Sequence, residues 1–564
     1  MKTITVLNAL NLNDYAFEKY FDGESAVTRA AKWALSVKDC EKIVYLCSTK
    51  LSDKVKAQVS QLSSSIPLEF KNYDSLCVTD FFSELSVISA SFDNIVYAFS
   101  DCPFLDKNYT DELYALHTES FAEYSYADGY PEGMTPEILC QSLCTILASV
   151  CKGKSFDTSP LCRSSIFDAL KIDINSFDIE TLIANHDYRY LRFLFACDTK
   201  RNALLCANAW KVKENDIALA AEKNPDCLKT LPSFYSVQIT SDVNNYCSYL
   251  PYKCENKKYM QLNDFENLVK KISDFSEDAV INLSYFCESM RHPKIFDFIK
   301  CVLQYEKLSV LIETTGENIS EEFVSKVFVE LSKEMPERKN GYSAIYWIVQ
   351  LDAVNQNTYE KFHGSPEING GMTFEKALLA YERIQKYFPS DAYPQFTRTL
   401  DNEEELETFF RYWNAKGPDG KNGNLIIQKY DNYCGLLADK KVADLRPIER
   451  NVCWQCRREM HINVDFSVSM EKVRVLREKY GAYFLQKIEQ VQPKLRNVES
   501  FMHRFPTLKS INYKEELELL KERIRIKKSE DLKKIIGYKN NPFMKKCDEE
   551  ESGNKNTRVG VNRI

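Results

Sequence analysis

The chain has 564 residues, with 74 Lys and Arg against 81 Asp and Glu and a formal net charge of −7, which excludes a nucleic-acid binder built on bulk positive charge. At about 100 to 200 residues per domain the length fits three or four domains and excludes a single small module. Hydrophobic residues at 44 % and charged residues at 27 % make a globular mixture, without an apolar run near the roughly 20 residues that span a bilayer.

The opening Met1 to Asn8 reads as a short strand followed by polar residues and lacks the apolar core of a signal peptide. The expectation is a soluble, cytoplasmic protein with no membrane and no nucleic acid among its partners. Apolar strands at 2–8, 42–47, 67–70 and 95–99 alternate with helical patterns at 26–36 and after Thr79. That rhythm predicts a three-layer α/β domain on a largely parallel sheet, with helices on both faces.

The strand ending at Phe99 runs into Ser100-Asp101-Cys102-Pro103-Phe104-Leu105-Asp106, which places Asp101 and Asp106 at the carboxyl end of a strand, where such sheets bind ligands. The two carboxylates can hold a divalent cation against phosphates. Alternatively, Asp101 caps the turn and Asp106 the next helix. Thr135 to Cys151 reads as an amphipathic helix with Cys140 and Cys144 on one face, as core thiols rather than ligands. Residues 164–225 read as mainly helical, a bridge to a second unit.

From Leu231 a second β/α series begins, with strands at 235–240, 279–283, 308–313, 345–351, 393–398 and 424–428 and helices at 262–274, 294–305, 321–334, 373–386 and 402–413. This spacing predicts a full or partial β/α barrel. Its strand ends carry Thr240, Glu313, Asp352 and Arg398, on the face where barrel enzymes place their chemistry. After residue 471 the chain turns charged and helical, and Tyr513 to Ile536 alternates acidic and basic residues around leucines and isoleucines. Lys545 to Ile564 has few apolar anchors, the composition of a disordered tail.

Cysteine is abundant, at 19 residues, yet Cys47, Cys197, Cys206 and Cys301 sit singly in apolar segments, as small hydrophobes do. Only Cys453-x-x-Cys456 has the spacing of a metal or redox pair. With His461 and Cys547 it makes a nominal zinc set, although Cys547 lies far along the polar tail.

Val6-Leu7-Asn8-Ala9-Leu10, Phe21-Asp22-Gly23-Glu24-Ser25-Ala26, Asp101 to Asp106, Tyr130-Pro131-Glu132-Gly133, Val237-Gln238-Ile239-Thr240, Leu351-Asp352-Ala353, Gln428-Lys429-Tyr430-Asp431 and Ala443-Asp444-Leu445-Arg446-Pro447 with Cys453-Trp454 follow one another in a fixed order. In that order they resemble one family, the spirochaete spiro-SPASM proteins, which join a nucleotidyltransferase-like domain to a radical S-adenosylmethionine (SAM) barrel and a SPASM extension. The resemblance spans about residues 1–470.

The fold class it implies is α/β: a Rossmann-like nucleotidyltransferase-like domain (1–163), a helical bridge (164–230), a partial radical-SAM-like TIM-type barrel (231–435), a SPASM remnant (436–475), a charged helical extension (476–540) and a disordered tail (541–564). It also implies a [4Fe-4S] cluster and SAM. Three thiolates in the loop after the first barrel strand hold three irons and leave the fourth for SAM.

The residues depart from that pattern. The three ligand positions fall on Val243, Cys247 and Leu250, and neither Val nor Leu ligates iron. Cys254 lies four residues beyond the third position, and recruiting it, with a thiol such as Cys287, requires a rebuilt loop. The SAM-contacting Gly-Glu-Pro becomes Cys287-Glu288-Ser289, which keeps Glu288 alone, while Glu313-Thr314-Thr315-Gly316 keeps the character of the third-strand motif. Asp465-Phe466-Ser467-Val468 replaces the Asp-Gly-x-Val turn of the SPASM segment. The loop from Asn8 to Tyr15 has no glycine to cradle phosphates.

The expectation is therefore a family member without cluster or SAM, serving as a binding or scaffold protein. Its barrel mouth, with Glu288, Glu313, Gln395 and Arg398, is expected to take a small anionic or nucleotide ligand. Metal candidates are Cys247, Cys254, Cys453, Cys456, Asp101 and Asp106. Two other readings stay open: radical SAM chemistry with substituted ligands, and nucleotide or sugar-nucleotide binding or transfer in the first domain. No catalytic residue and no protein partner is named by the sequence.

Overall fold

A computed structural model describes residues 1–469, apart from 61, 63–64, 155–156, 213–216, 229, 252, 255, 337, 418–419, 421, 433–436 and 443–457. The first sheet is built from β1 (Thr3–Ala9), β2 (Cys40–Ser48), β3 (Leu68–Tyr73), β4 (Asn94–Phe99), β5 (Tyr124–Asp128), β6 (Glu137–Cys140) and β7 (Ile179–Ile183), in the order β3-β2-β1-β4-β6-β5-β7. Only β6 runs antiparallel to its neighbours. Every residue of β1 is buried, as a strand covered on both faces must be. Leu7, Tyr45 and Val96 enter one core, while Val6, Val44 and Tyr97 enter the other, the period-two alternation of a sheet with helices on each side. The expectation of a three-layer α/β domain on a largely parallel sheet holds.

Two stretches differ from the periodicity reading. The expected helix from Thr135 begins only at Gln141 and ends at Cys151. Before it, residues 137–140 pair with β4 from Asn94 to Tyr97, sending Ile138 to one core and Leu139 to the other. Cys140 thus ends a strand and shares no helix face with Cys144. The second stretch, 164–225, contains helices but also β7, which pairs in parallel with β5. Its helix Lys200–Trp210 packs Ala203, Cys206 and Ala209 into the first domain's core.

The second sheet contains β8 (Phe234–Val237), β9 (Ala279–Asn282), β10 (Leu308–Thr314), β11 (Ile345–Gln350), β12 (Ala392–Arg398), β13 (Ile426–Lys429), β14 (Glu459–Ile462) and β15 (Val468–Ser469). The order is β13-β12-β11-β10-β9-β8-β14-β15, parallel except for β15. β13 and β15 are its two unjoined ends, so the barrel is partial. Helices Leu262–Ser276, Ile295–Leu303, Glu321–Glu334, Phe374–Tyr387 and Leu406–Asn414 alternate with the strands. One core runs from Tyr235 on β8 through Trp347 on β11 to Ile462 on β14.

The β11–β12 crossover holds a further helix, Gln356–His363, that apolar periodicity missed. Its signals were local. The Asn355 side chain accepts from Thr358 N at the start, and Gly364, at φ +83°, ends it.

Candidate functional site

The loops that follow β8 to β12 lie together at the carboxyl ends of the second sheet. In the first of these loops the three positions at which the resemblance calls for thiolates are occupied by packing. Val243 and Cys247 are buried and Leu250 is half-buried. Cys247 packs with Tyr249, Phe362 and Tyr430, against which Leu250 and Leu437 rest. Burial pushes the Cys247 thiol up to about 12, so it is neutral at physiological pH. Cys254 stands apart, with its Sγ 3.6 Å from Ser241 Oγ. Cys287 lies in the barrel core and is likewise pushed by burial to about 12.

This loop is fastened to the end of helix Gln356–His363. Ser248 N donates to Phe362 O at 2.7 Å and Asn244 Nδ2 to His363 O at 3.0 Å. These bonds satisfy carbonyls that the end of a helix leaves open. Gly364 is required at this contact, because a Cβ there would stand 2.8 Å from Tyr246 Cβ.

Asp352, after β11, joins the parts. Its Oδ1 accepts Thr397 N at 2.6 Å, and its Oδ2 accepts Tyr249 OH at 2.9 Å and faces His363 Nε2 at 3.0 Å. Asn402 Nδ2 donates to the Asp352 carbonyl at 2.8 Å. A carboxylate accepts only, so His363 Nε2 is the donor in this contact. Among the described residues, His363 Nδ1, Tyr359 OH and Thr397 Oγ1 are buried without a hydrogen-bond partner.

The ligand-site residues expected from sequence share this face, each engaged locally. Glu288 is buried, and its Oε1 accepts Thr314 Oγ1 at 2.8 Å while its Oε2 accepts both N and Oγ1 of Thr315 at 2.8 Å. It braces the loops after β9 and β10. Burial, and after it the Glu317 charge, pushes its carboxyl up to about 7. Glu313 is half-buried, accepts Asn282 Nδ2 at 3.3 Å and is pushed up by burial. Gln395 is buried, and its carbonyl accepts Leu351 N at 3.1 Å and Asp352 N at 3.0 Å. Arg398 turns to Glu403 at 2.5 Å.

Beside them lies a cluster that sequence reasoning missed. Arg291 binds Glu317 through Nε and Nη2 at 2.7 and 2.8 Å, and Asp242 through Nη1 at 2.7 Å. Lys257 reaches the other oxygen of Asp242 at 2.6 Å. These residues come from three loops, and no local spacing marks them.

In the first domain Asp101 and Asp106 do not share a site. Asp106 caps helix Lys107–Glu119, with its Oδ1 accepting Asn108 N at 2.7 Å and Tyr109 N at 3.1 Å. Asp101 is buried and ion-paired with Arg163 at 2.6 Å. Cys453, Cys456 and Cys547 lie outside the described residues, as do the expected charged extension and tail. His461 stands on β14 with its ring 4.8 Å from that of Tyr285. Phe466, in the turn between β14 and β15, has φ +64° where the resemblance has glycine. Among the described residues no group of three or more His, Cys, Asp or Glu is arranged to hold a metal ion, and no helix is long and apolar enough to cross a membrane.

No family model matches the chain. It is 35 % identical over 336 residues to an uncharacterized protein of Treponema pallidum (strain Nichols), covering 58 % of this chain and 91 % of that protein. The chain belongs to the family of that Treponema protein. A second uncharacterized protein of the same organism is 30 % identical over 134 residues, 22 % of this chain and 61 % of its own length.

Solved structures with a similar fold include a cytidylyltransferase from Leptospira borgpetersenii, at 16 % identity and TM-score 0.34, over 40 % of this chain and 96 % of that one. They also include anSMEcpe with bound AdoMet, at 15 % identity and TM-score 0.27, over 36 % and 52 %. A third is BtrN in complex with AdoMet and 2-DOIA, at 14 % identity and TM-score 0.26, over 44 % and 77 %. Each is a likeness over part of the chain.

Proposed function

We propose that this chain is a spiro-SPASM protein that works without an iron–sulfur cluster or SAM, as a cytoplasmic binding or scaffold protein carrying its first domain and partial barrel. The observation behind this reading is the loop after β8. Where three thiolates would stand, Val243, Cys247 and Leu250 are packed inward, and Cys247 is in an apolar cluster with Tyr249, Phe362 and Tyr430. Building a cluster there would require two more thiolates and the release of Ser248 and Asn244 from the helix carbonyls they satisfy. Glu288, the surviving residue of the SAM-contacting turn, has its oxygens committed to Thr314 and Thr315.

The barrel mouth is then a rigid platform, and its ligand or protein partner is recognised by its surface rather than by redox chemistry. The test is the iron and acid-labile sulfide content of anaerobically reconstituted full-length protein, with a parallel SAM titration. Essentially no iron and no saturable SAM binding are expected. About four of each per chain, the content of one [4Fe-4S] cluster, would overturn the reading.

A further inference from the structure

Three segments distant in sequence meet at the carboxyl ends of β1 and β4. Between these strands the connections switch from one side of the sheet to the other, the place where open α/β sheets take ligands. Asp101 and Cys102 follow β4, Arg163 precedes helix Ser165–Leu170, and Asp198 precedes helix Lys200–Trp210. Backbone contacts hold the junction, with Cys197 N donating to Asp101 O at 2.8 Å and Phe195 N to Glu132 O at 2.9 Å. Gly133, at φ +91°, closes it. A Cβ there would come 2.3 Å from Phe195 O and 3.3 Å from Cys102 Sγ, so only glycine lets the Tyr130 to Gly133 turn lie against both.

The expected cation site at this edge required two free carboxylates. Asp106 is spent on its helix, and the carboxylate that faces Asp101 is Asp198. Arg163 stands between the two, with its Nη2 2.6 Å from Asp101 Oδ2 and 3.9 Å from Asp198 Oδ2. Its Nη1 donates to Cys102 Sγ at 3.4 Å, and its guanidinium lies 4.5 Å over the Phe99 ring. Asp198 is held from its other side by Asn202 Nδ2 at 2.8 Å, and Asn13 Nδ2 donates to its carbonyl. A divalent ion bound between these carboxylates would have to displace a stacked, hydrogen-bonded guanidinium.

We infer that Arg163 is an internal cation standing where a divalent ion would otherwise bridge Asp101 and Asp198, so that the first domain's crevice is built to work without metal. One guanidinium supplies a single positive charge against two carboxylates. This inference is independent of the cluster-free reading of the barrel, since the two sites share no residue.

The test is Mn2+ binding to the full-length chain, read by the electron paramagnetic resonance of free Mn2+. The wild-type protein is expected to show no Asp101-dependent site up to about 1 mM. Arg163→Ala uncovers both carboxylates and is expected to bind one Mn2+ at least about tenfold tighter, an effect abolished in Arg163→Ala with Asp101→Asn. Wild-type binding that Asp101→Asn removes would overturn the inference. So would a folded Arg163→Ala protein that gains nothing. Should that variant fail to fold, thermal unfolding of Arg163→Gln with and without about 5 mM Mn2+ decides. A metal-dependent rise in Tm supports the inference, and an unchanged Tm overturns it.

Discussion

Replacing Asp352 should release the loop after β8 from the barrel. Truncation to alanine leaves three donors without an acceptor in a site that is 0 % exposed: Thr397 N, Tyr249 OH and His363 Nε2. An unsatisfied buried donor costs about 1–3 kcal/mol. Asp352 has φ +56°, a region that Asp and Asn tolerate and that costs alanine roughly 1 kcal/mol more. Allowing for relaxation, the loss is about 4 kcal/mol, or about a thousandfold in a local opening equilibrium.

Asp352→Asn should cost only about 1 kcal/mol. Its carbonyl still accepts Thr397 N, Tyr249 OH turns to accept one amide hydrogen, His363 moves its proton to Nδ1 so that Nε2 accepts the other, and the left-handed backbone suits asparagine. The assay is amide hydrogen exchange by mass spectrometry on the native chain, following residues 244–251 and 396–402. The reasoning is refuted if the two variants accelerate exchange equally, or if alanine accelerates it less than about tenfold.

The protonation of Glu288 should make barrel stability fall with rising pH. Its folded value of about 7 lies above the ordinary 4.5, so its contribution is full below about 4.5 and is lost as pH rises through about 7, amounting to about 3 kcal/mol. Glu288→Gln, which does not titrate, should flatten that slope in urea unfolding followed from pH 4.5 to 8. Phe466→Gly should leave stability unchanged or raise it by up to about 1 kcal/mol, because glycine adopts φ +64° without the Cβ strain that Phe466→Ala retains. Urea midpoints for the two variants give the comparison. Native-state alkylation near pH 8, mapped by mass spectrometry, should label exposed Cys162 and spare Cys247 and Cys287 until the chain is unfolded.

The alternation of strands and helices was legible because it depends on local period, and β1 to β4 and β8 to β13 form near the positions that period marks, whereas β5, β14 and β15 were not marked. Where it failed, a neighbour decided. The edge of β4 drew residues 137–140 into β6 although the stretch also fits a helix, and the free edge of β5 did the same for 179–183. The helix Gln356–His363 was legible only in its caps, Asn355 and Gly364, since it presents no long apolar stripe.

For the sites, sequence named Asp101 and placed Asp352 at a strand end, but not their partners. Arg163 reaches Asp101 from 62 residues away and Tyr249 reaches Asp352 from 103, and spacing carries no trace of pairings at that distance. That Val243 and Leu250 supply no thiolate was readable directly, because neither side chain carries sulfur. What they do instead became visible only once the loop and the helix were side by side.

The pairing of β14 with β8, Glu459 opposite Phe234, sets an order of events during synthesis. Among the described residues, the strands from β9 to β13 emerge from the ribosome before residues 459–462, which fill the edge of β8 away from β9. Any product cut short before Glu459 would keep that edge and tend to add strands from other copies. β14 thus acts as a check that synthesis has passed Ile462, separating such chains from shorter fragments by whether they remain monodisperse.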